Sequence, residues 1–215
     1  MNQPKPRRAF LKKSLKTTIA TSSLLVPTLA CSAQTPVANT NESINFIGPK
    51  KGYTPQVGTL VSMMNWMRET ILQPVNGLSV KELDYLHDEN ANSIGAMLWH
   101  LAATERFYQL NTFDDRSWGD WPEKEEKEFS VAMSLGNAGR SQLKGYDLDF
   151  YLEKLERVRA ISLQELVKRD DDWLLKIDPN WMWRSPTNNY CKWFHVVEHE
   201  SNHNGQIKFV KSRIS

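Results

Sequence analysis

The sequence is short of most features that mark a specialised chain. Its 215 residues include only two cysteines, Cys31 and Cys191, which excludes a disulfide scaffold and a thiolate-built metal cluster. Ten glycines and ten prolines exclude a fibrous or low-complexity chain. There is no glycine-rich phosphate loop, no internal repeat and no strand-like alternation of any length. No apolar run approaches the roughly 20 residues of a transmembrane helix. Charge of one sign is also lacking, with 27 basic against 25 acidic residues. With 40% hydrophobic residues, the chain holds enough apolar material for one domain, or for a domain and a tail.

The small basic excess, which sets the pI near 8.5, is confined to one end. Residues 1–33 carry six basic residues and no acidic one, leaving 21 basic against 25 acidic residues in 34–215, a net of −4. The pI therefore gives no reason to expect a nucleic-acid partner. Arg7 and Arg8 open the string RRAFLK, a weakly apolar run follows from Thr17 to Ala30, and small residues come next. This order is that of an export signal, and RRAFLK resembles the twin-arginine type, with Pro6 where Ser or Thr is usual. The expected localisation is extracytoplasmic, with the twin-arginine translocase as a partner in transit. Cys31 offers a lipoprotein-type cysteine, although Leu29 stands one place too near it, so a lipid anchor and a soluble form cut near Ala30 or Ala33 both stay open.

Residues 34–54 are rich in Asn, Thr, Pro and Gly and read as a linker. From Pro55 the apolar spacing becomes helical: Val57, Leu60, Val61, Met64, Met67 and Ile71 share one face, ended by Pro74 and Gly77. Ser79 and Glu82 form a capping box for a short helix. Long helices follow over about 93–110 and 148–168, with an acidic helix start at 123–128. Ser185-Pro186 reads as the N-cap and first position of a last helix running to about Lys211. The expected fold is all-α: a four-helix bundle over 55–215.

Three of the five histidines, His195, His199 and His203, stand four residues apart. At about 100° per residue they share one helix face, with Asn202 and Gln206 in the same stripe. Imidazoles at this spacing converge on one ion, whereas the alternative is a hydrogen-bonded polar stripe. The string His199-Glu200-Ser201-Asn202-His203 matches the zincin HExxH, and His195 to His199 matches its inverse. A zincin takes its third ligand downstream, but the residues after His203 contain no Asp, Glu or His. A third ligand must come from upstream, and His100, in the middle of the 93–110 helix, is the best donor. Trp99, Tyr190 and Trp193 are expected to build core, Cys191 to be buried and inert, and His87 to be solvated.

The strings NSIGAMLWHLAATE and HVVEHESNHNGQI together resemble the DinB-like (YfiT-like) family of metal-binding four-helix bundles, over about residues 55–212. The resemblance implies one divalent ion (Zn, Ni, Mn or Fe) held by His100, His199 and His203, with His195, Asn202 and Gln206 lining the pocket or supporting the ligands. Asn204 takes the place of the family's usual basic residue after the last ligand. The implied activity is that of a thiol-group transferase or hydrolase on a small molecule, with a low-molecular-weight thiol as partner. A homodimer is compatible with it. The alternative from another class is a non-catalytic exported bundle that keeps a structural metal or binds a small ligand, with a zincin-type peptidase a distant third.

Overall fold

The structure is a computed structural model that describes residues 43–181 and 186–214, all within one unit, Asn39–Ser215. The basic leader 1–33, Cys31 and Ser185 lie outside the described residues. Among the described residues there are eight helices: α1 (Pro55–Val75), α2 (Val80–Leu83), α3 (Ile94–Thr112), α4 (Glu123–Ser134), α5 (Gly136–Gln142), α6 (Leu148–Leu166), α7 (Asp171–Leu175) and α8 (Asn189–Lys211). The four long ones, α1, α3, α6 and α8, make the expected bundle. α1 packs along α8, α3 packs along both α6 and α8, and the seam between α1 and α6 is the thinnest. No described helix is long and apolar enough to cross a membrane.

Local chemistry explains the helix starts. Ser93 and Asp147 accept backbone N–H groups three residues on, as N-caps of α3 and α6. The Ser79–Glu82 capping box of α2 is formed in both directions. Thr54 makes no side-chain cap for α1; Asp171 supplies it from a distance, accepting the N–H groups of Gln56 and Val57 at 3.0 and 3.1 Å. The Asp170–Asp172 run therefore starts a short helix and caps a long one. Residues 34–54 are not wholly a free linker. Gly48 N–H donates to Ser62 Oγ at 3.1 Å, and Lys50 backbone lies where a Cβ on Gly58 would stand.

The last helix begins later than Ser185-Pro186 suggests. Thr187–Asn188 pairs antiparallel with Ile177–Asp178, and Asn188 is the cap, accepting Cys191 N–H at 2.8 Å. The two-residue ladder satisfies backbone groups that a helix start at Pro186 would leave to solvent.

The apolar interior falls into two clusters. One gathers Val57, Leu60, Met64, Tyr108, Leu166, Trp193 and Val196; the other gathers Ile71, Met97, Leu101, Tyr151, Leu155, Ile207 and Val210. Gly95 belongs to the second, since a Cβ there would stand 2.6 Å from the Tyr151 ring and hydroxyl. Between the clusters lies a charged layer with one residue from each long helix. Arg68 and Arg159 face Glu105 and Glu200, with ion-pair distances of 2.6 to 3.0 Å. The remaining guanidinium donors reach backbone carbonyls, Arg68 Nη1 that of Leu155 at 2.9 Å and Arg159 Nη1 that of Met64 at 2.7 Å. Burial alone would raise the Glu105 pKa, but Arg159 and Arg68 outweigh it and hold the carboxyl below its ordinary range.

Candidate metal centre

Within one turn of Glu200 on α8, the histidines meet. His199 and His203 stand one turn apart on α8, and His100 faces them from α3. One ring nitrogen from each lies within 4.8 Å of the others. His100 Nε2 is 2.8 Å from His199 Nε2, and the His203 ring lies edge-on to both, with centroids 4.9 and 4.6 Å away. Around a tetrahedral ion with bonds of about 2.0–2.1 Å, ligand nitrogens stand roughly 3.4 Å apart, so the cluster has the right span.

Each ring is set by its surroundings. α4 ends at Leu135, whose left-handed φ of 53° turns the chain and leaves the last carbonyls of the helix without partners further along it. One of these, Ala132 C=O, accepts the His100 Nδ1–H at 2.8 Å. That bond places the His100 proton on Nδ1 and frees the Nε2 lone pair toward His199. His203 Nδ1 is buried and has no hydrogen-bond partner. Such a nitrogen costs about 1–3 kcal/mol when left unsatisfied, which an ion or a donor would recover.

Electrostatics keeps the cluster neutral. Burial lowers the His100 pKa, against weaker support for the charged form from the Ala132 and Met133 carbonyls. Burial, then the charges of His203, His100 and His195, push His199 down to about 3. Burial and His100 push His203 down to about 4, with a Gln206 hydrogen bond acting the other way. All three are therefore unprotonated near neutral pH, the form that ligates metal.

The other expected pocket residues fall nearby but outside the trio. The His195 ring is 5.4 Å from that of His199, and its Nδ1 is 3.2 Å from Glu198 Oε2. Asn202 donates to Glu198 and lies exposed, while Gln206 reaches His203. Both amides line a cavity of about 590 Å3 that also takes in His87, Asp88, Asn92 and Met97. Trp193 and Trp99 are core, as expected, and His87 is exposed. Cys191 is exposed rather than buried, because the first turn of α8 turns it to the outside. Glu200, the base position of HExxH, points away from the trio to Arg68 and Arg159, which removes it from zincin chemistry.

Sequence reading passed over Arg68, Glu105 and Arg159. Their signal was present: each falls among apolar residues on the buried face of its helix, beside Met64 and Ile71, Leu101 and Tyr108, and Leu155 and Val158. Two charges of each sign at core positions of different helices are a mark of mutual pairing.

The comparisons with known proteins agree with this geometry. The family model described as Mycothiol-S-transferase matches residues 59–215. No curated protein matches the chain. Among solved structures, the crystal structure of a conserved protein from Enterococcus faecalis superposes with a TM-score of 0.53 at 13% identity, covering 71% of this chain and 92% of that one. At that identity the likeness shows the fold alone. With an all-α bundle and a histidine trio spanning the two motif-bearing helices, the chain belongs to the mycothiol S-transferase family, a DinB/YfiT-like family.

Proposed function

We propose that the protein is an exported, metal-dependent thiol S-transferase acting on a small molecule, with His100, His199 and His203 holding one divalent ion. The observation that carries this reading is the set of three neutral imidazoles on two helices, one with an orphaned buried nitrogen. Three neutral ligands leave a bound ion its full charge, and such an ion lowers the pKa of a thiol brought to it. The chain's own residues supply the rest. Ala132 C=O fixes the His100 ring, and Gln206 holds His203. His195, paired with Glu198, stands beside the cluster where it can orient an incoming group.

A structural metal is less favoured by one specific observation. The charged layer already ties α1, α3, α6 and α8 together through buried ion pairs, so the bundle has a clamp that does not depend on an ion. The test is chelation followed by circular dichroism and a panel of thiols and electrophiles. Loss of conjugating activity with the helical signal intact supports the transferase; unfolding on chelation contradicts it. Hydrolysis without any thiol requirement would point to a hydrolase instead.

Export rests on the leader sequence RRAFLK and the apolar run behind it. Lysine at both Arg7 and Arg8 should leave unprocessed chain in the cytoplasm, and normal processing of that variant would refute the twin-arginine route.

A further inference from the structure

The thin seam between α1 and α6 is a groove. Two cavities of about 480 and 270 Å3 run along it and share Leu72 and Leu152, so they form one channel over the surface. On α6 the lining extends from Leu148 to Leu163, about 22 Å at the rise of an α-helix. Leu72, Leu152 and Leu163 are only half-buried, and Val167, one turn further, is half-exposed. Arg68 and Arg159 of the charged layer also line the groove. Every guanidinium nitrogen of both already has an acceptor, so they make no call for an anion. The groove asks for an apolar cover.

The chemistry of α6 says what the cover is. About the midpoint between Arg157 and Val158, Leu148 is matched by Val167, Leu152 by Leu163, and Leu155 by Ala160. Any helix face has symmetric positions, but matched residue types do not follow from that. Charges obey the same symmetry. Between Asp147 and Lys168 only two levels set charge against charge, Asp147 with Lys168 and Glu156 with Arg159, and both are of opposite sign. An antiparallel α6 from a second copy therefore meets apolar residues with apolar ones and no charge with its like. Ala160, small and exposed, lets the two helices approach closely.

We propose that the α1–α6 groove is the interface of a symmetric homodimer, in which α6 of one copy lies antiparallel along the groove of the other. The histidine trio stands on α3 and α8, the other two long helices, so pairing leaves both metal centres uncovered. The proposal is independent of the transferase reading.

The experiment is sedimentation equilibrium of the full chain under reducing conditions, which keep Cys31 and Cys191 from linking copies. The parent should form a dimer whose fraction rises with concentration. Ala160→Arg and Leu152→Glu should keep the helical circular dichroism and weaken self-association by about tenfold or more. Lys168→Asp should weaken it by about threefold, and Asp147→Lys in the same chain should restore it. A parent that stays monomeric at every concentration overturns the proposal. So does a dimer that Ala160→Arg leaves untouched, because its interface lies elsewhere. A monomer that binds 1-anilinonaphthalene-8-sulfonate, and loses it in Leu152→Glu, assigns the groove to a small apolar ligand and also overturns the dimer.

Discussion

Two buried polar clusters of this bundle share helices α3 and α8, yet they are built on opposite terms. The Arg68–Glu105–Arg159–Glu200 layer is charged, balanced two against two, and tied to side-chain and backbone partners on all four long helices. The His100–His199–His203 trio is neutral, with two ring nitrogens packed against each other and a third left without a partner. Glu200 stands between His199 and His203 in sequence, so a single turn of α8 serves both. The difference teaches where the molecule places stability and where it leaves capacity for a ligand. The charged layer matches each guanidinium with carboxylate and backbone acceptors, although Glu200 Oε2 stays without a partner, while the neutral trio keeps lone pairs for something to hold.

The largest expected effect breaks the charged side of the comparison. Glu200→Ala leaves two buried guanidinium groups short of a partner and should cost about 3–5 kcal/mol by urea unfolding. A change below about 1 kcal/mol would mean that the layer is not the clamp described. His199→Ala, one residue away, should leave unfolding nearly unchanged in chelated protein and remove the metal.

A scaffold control sharpens the contrast. Gly95→Ala drives a methyl into the Tyr151 ring and should destabilise by about 1–3 kcal/mol, with metal content per folded chain unaltered. Loss of metal in that variant would tie the trio to the core more tightly than the geometry implies.

Acid separates the clusters by pH window. In the unfolded chain histidines protonate near pH 6.5, but in the fold His203 resists to about 4 and His199 to about 3. Unfolded chain therefore binds more protons between those limits, so stability of the metal-free protein falls as pH drops from 6.5 toward 4. Glu105, with its pKa held low, adds its own loss only as pH falls below about 4.5. Urea midpoints at several pH values should show the first loss flatten in His199→Gln. An unchanged slope would contradict the neutral trio. The smallest effect is expected at the rim: Asp171→Ala should lower the thermal midpoint slightly, through the lost cap of α1, and leave both clusters intact.

How much of this was legible in the sequence follows the range of the interactions. Periodicity located α1, α3, α6 and most of α8, because a helix face is written within seven residues. The His199/His203 pair was legible for the same reason, and His100 followed once the downstream residues offered no third ligand. The start of α8 was misplaced because Ser185-Pro186 is a strong local signal, whereas the winning contact is a ladder to Ile177–Asp178 ten residues back. The four charges of the buried layer were visible but not their pairing, which depends on the rotation of four helices about their axes. Asp171 capping α1 across 114 residues is beyond any local rule.

The measurement that tests the central claim most directly is elemental analysis of the full chain and of its His100→Ala variant, each checked for native helical content. The account predicts about one divalent ion per chain in the parent and almost none in the folded variant, since two imidazoles on one helix turn make a weak site. Full metal in folded His100→Ala would contradict a centre that spans α3 and α8.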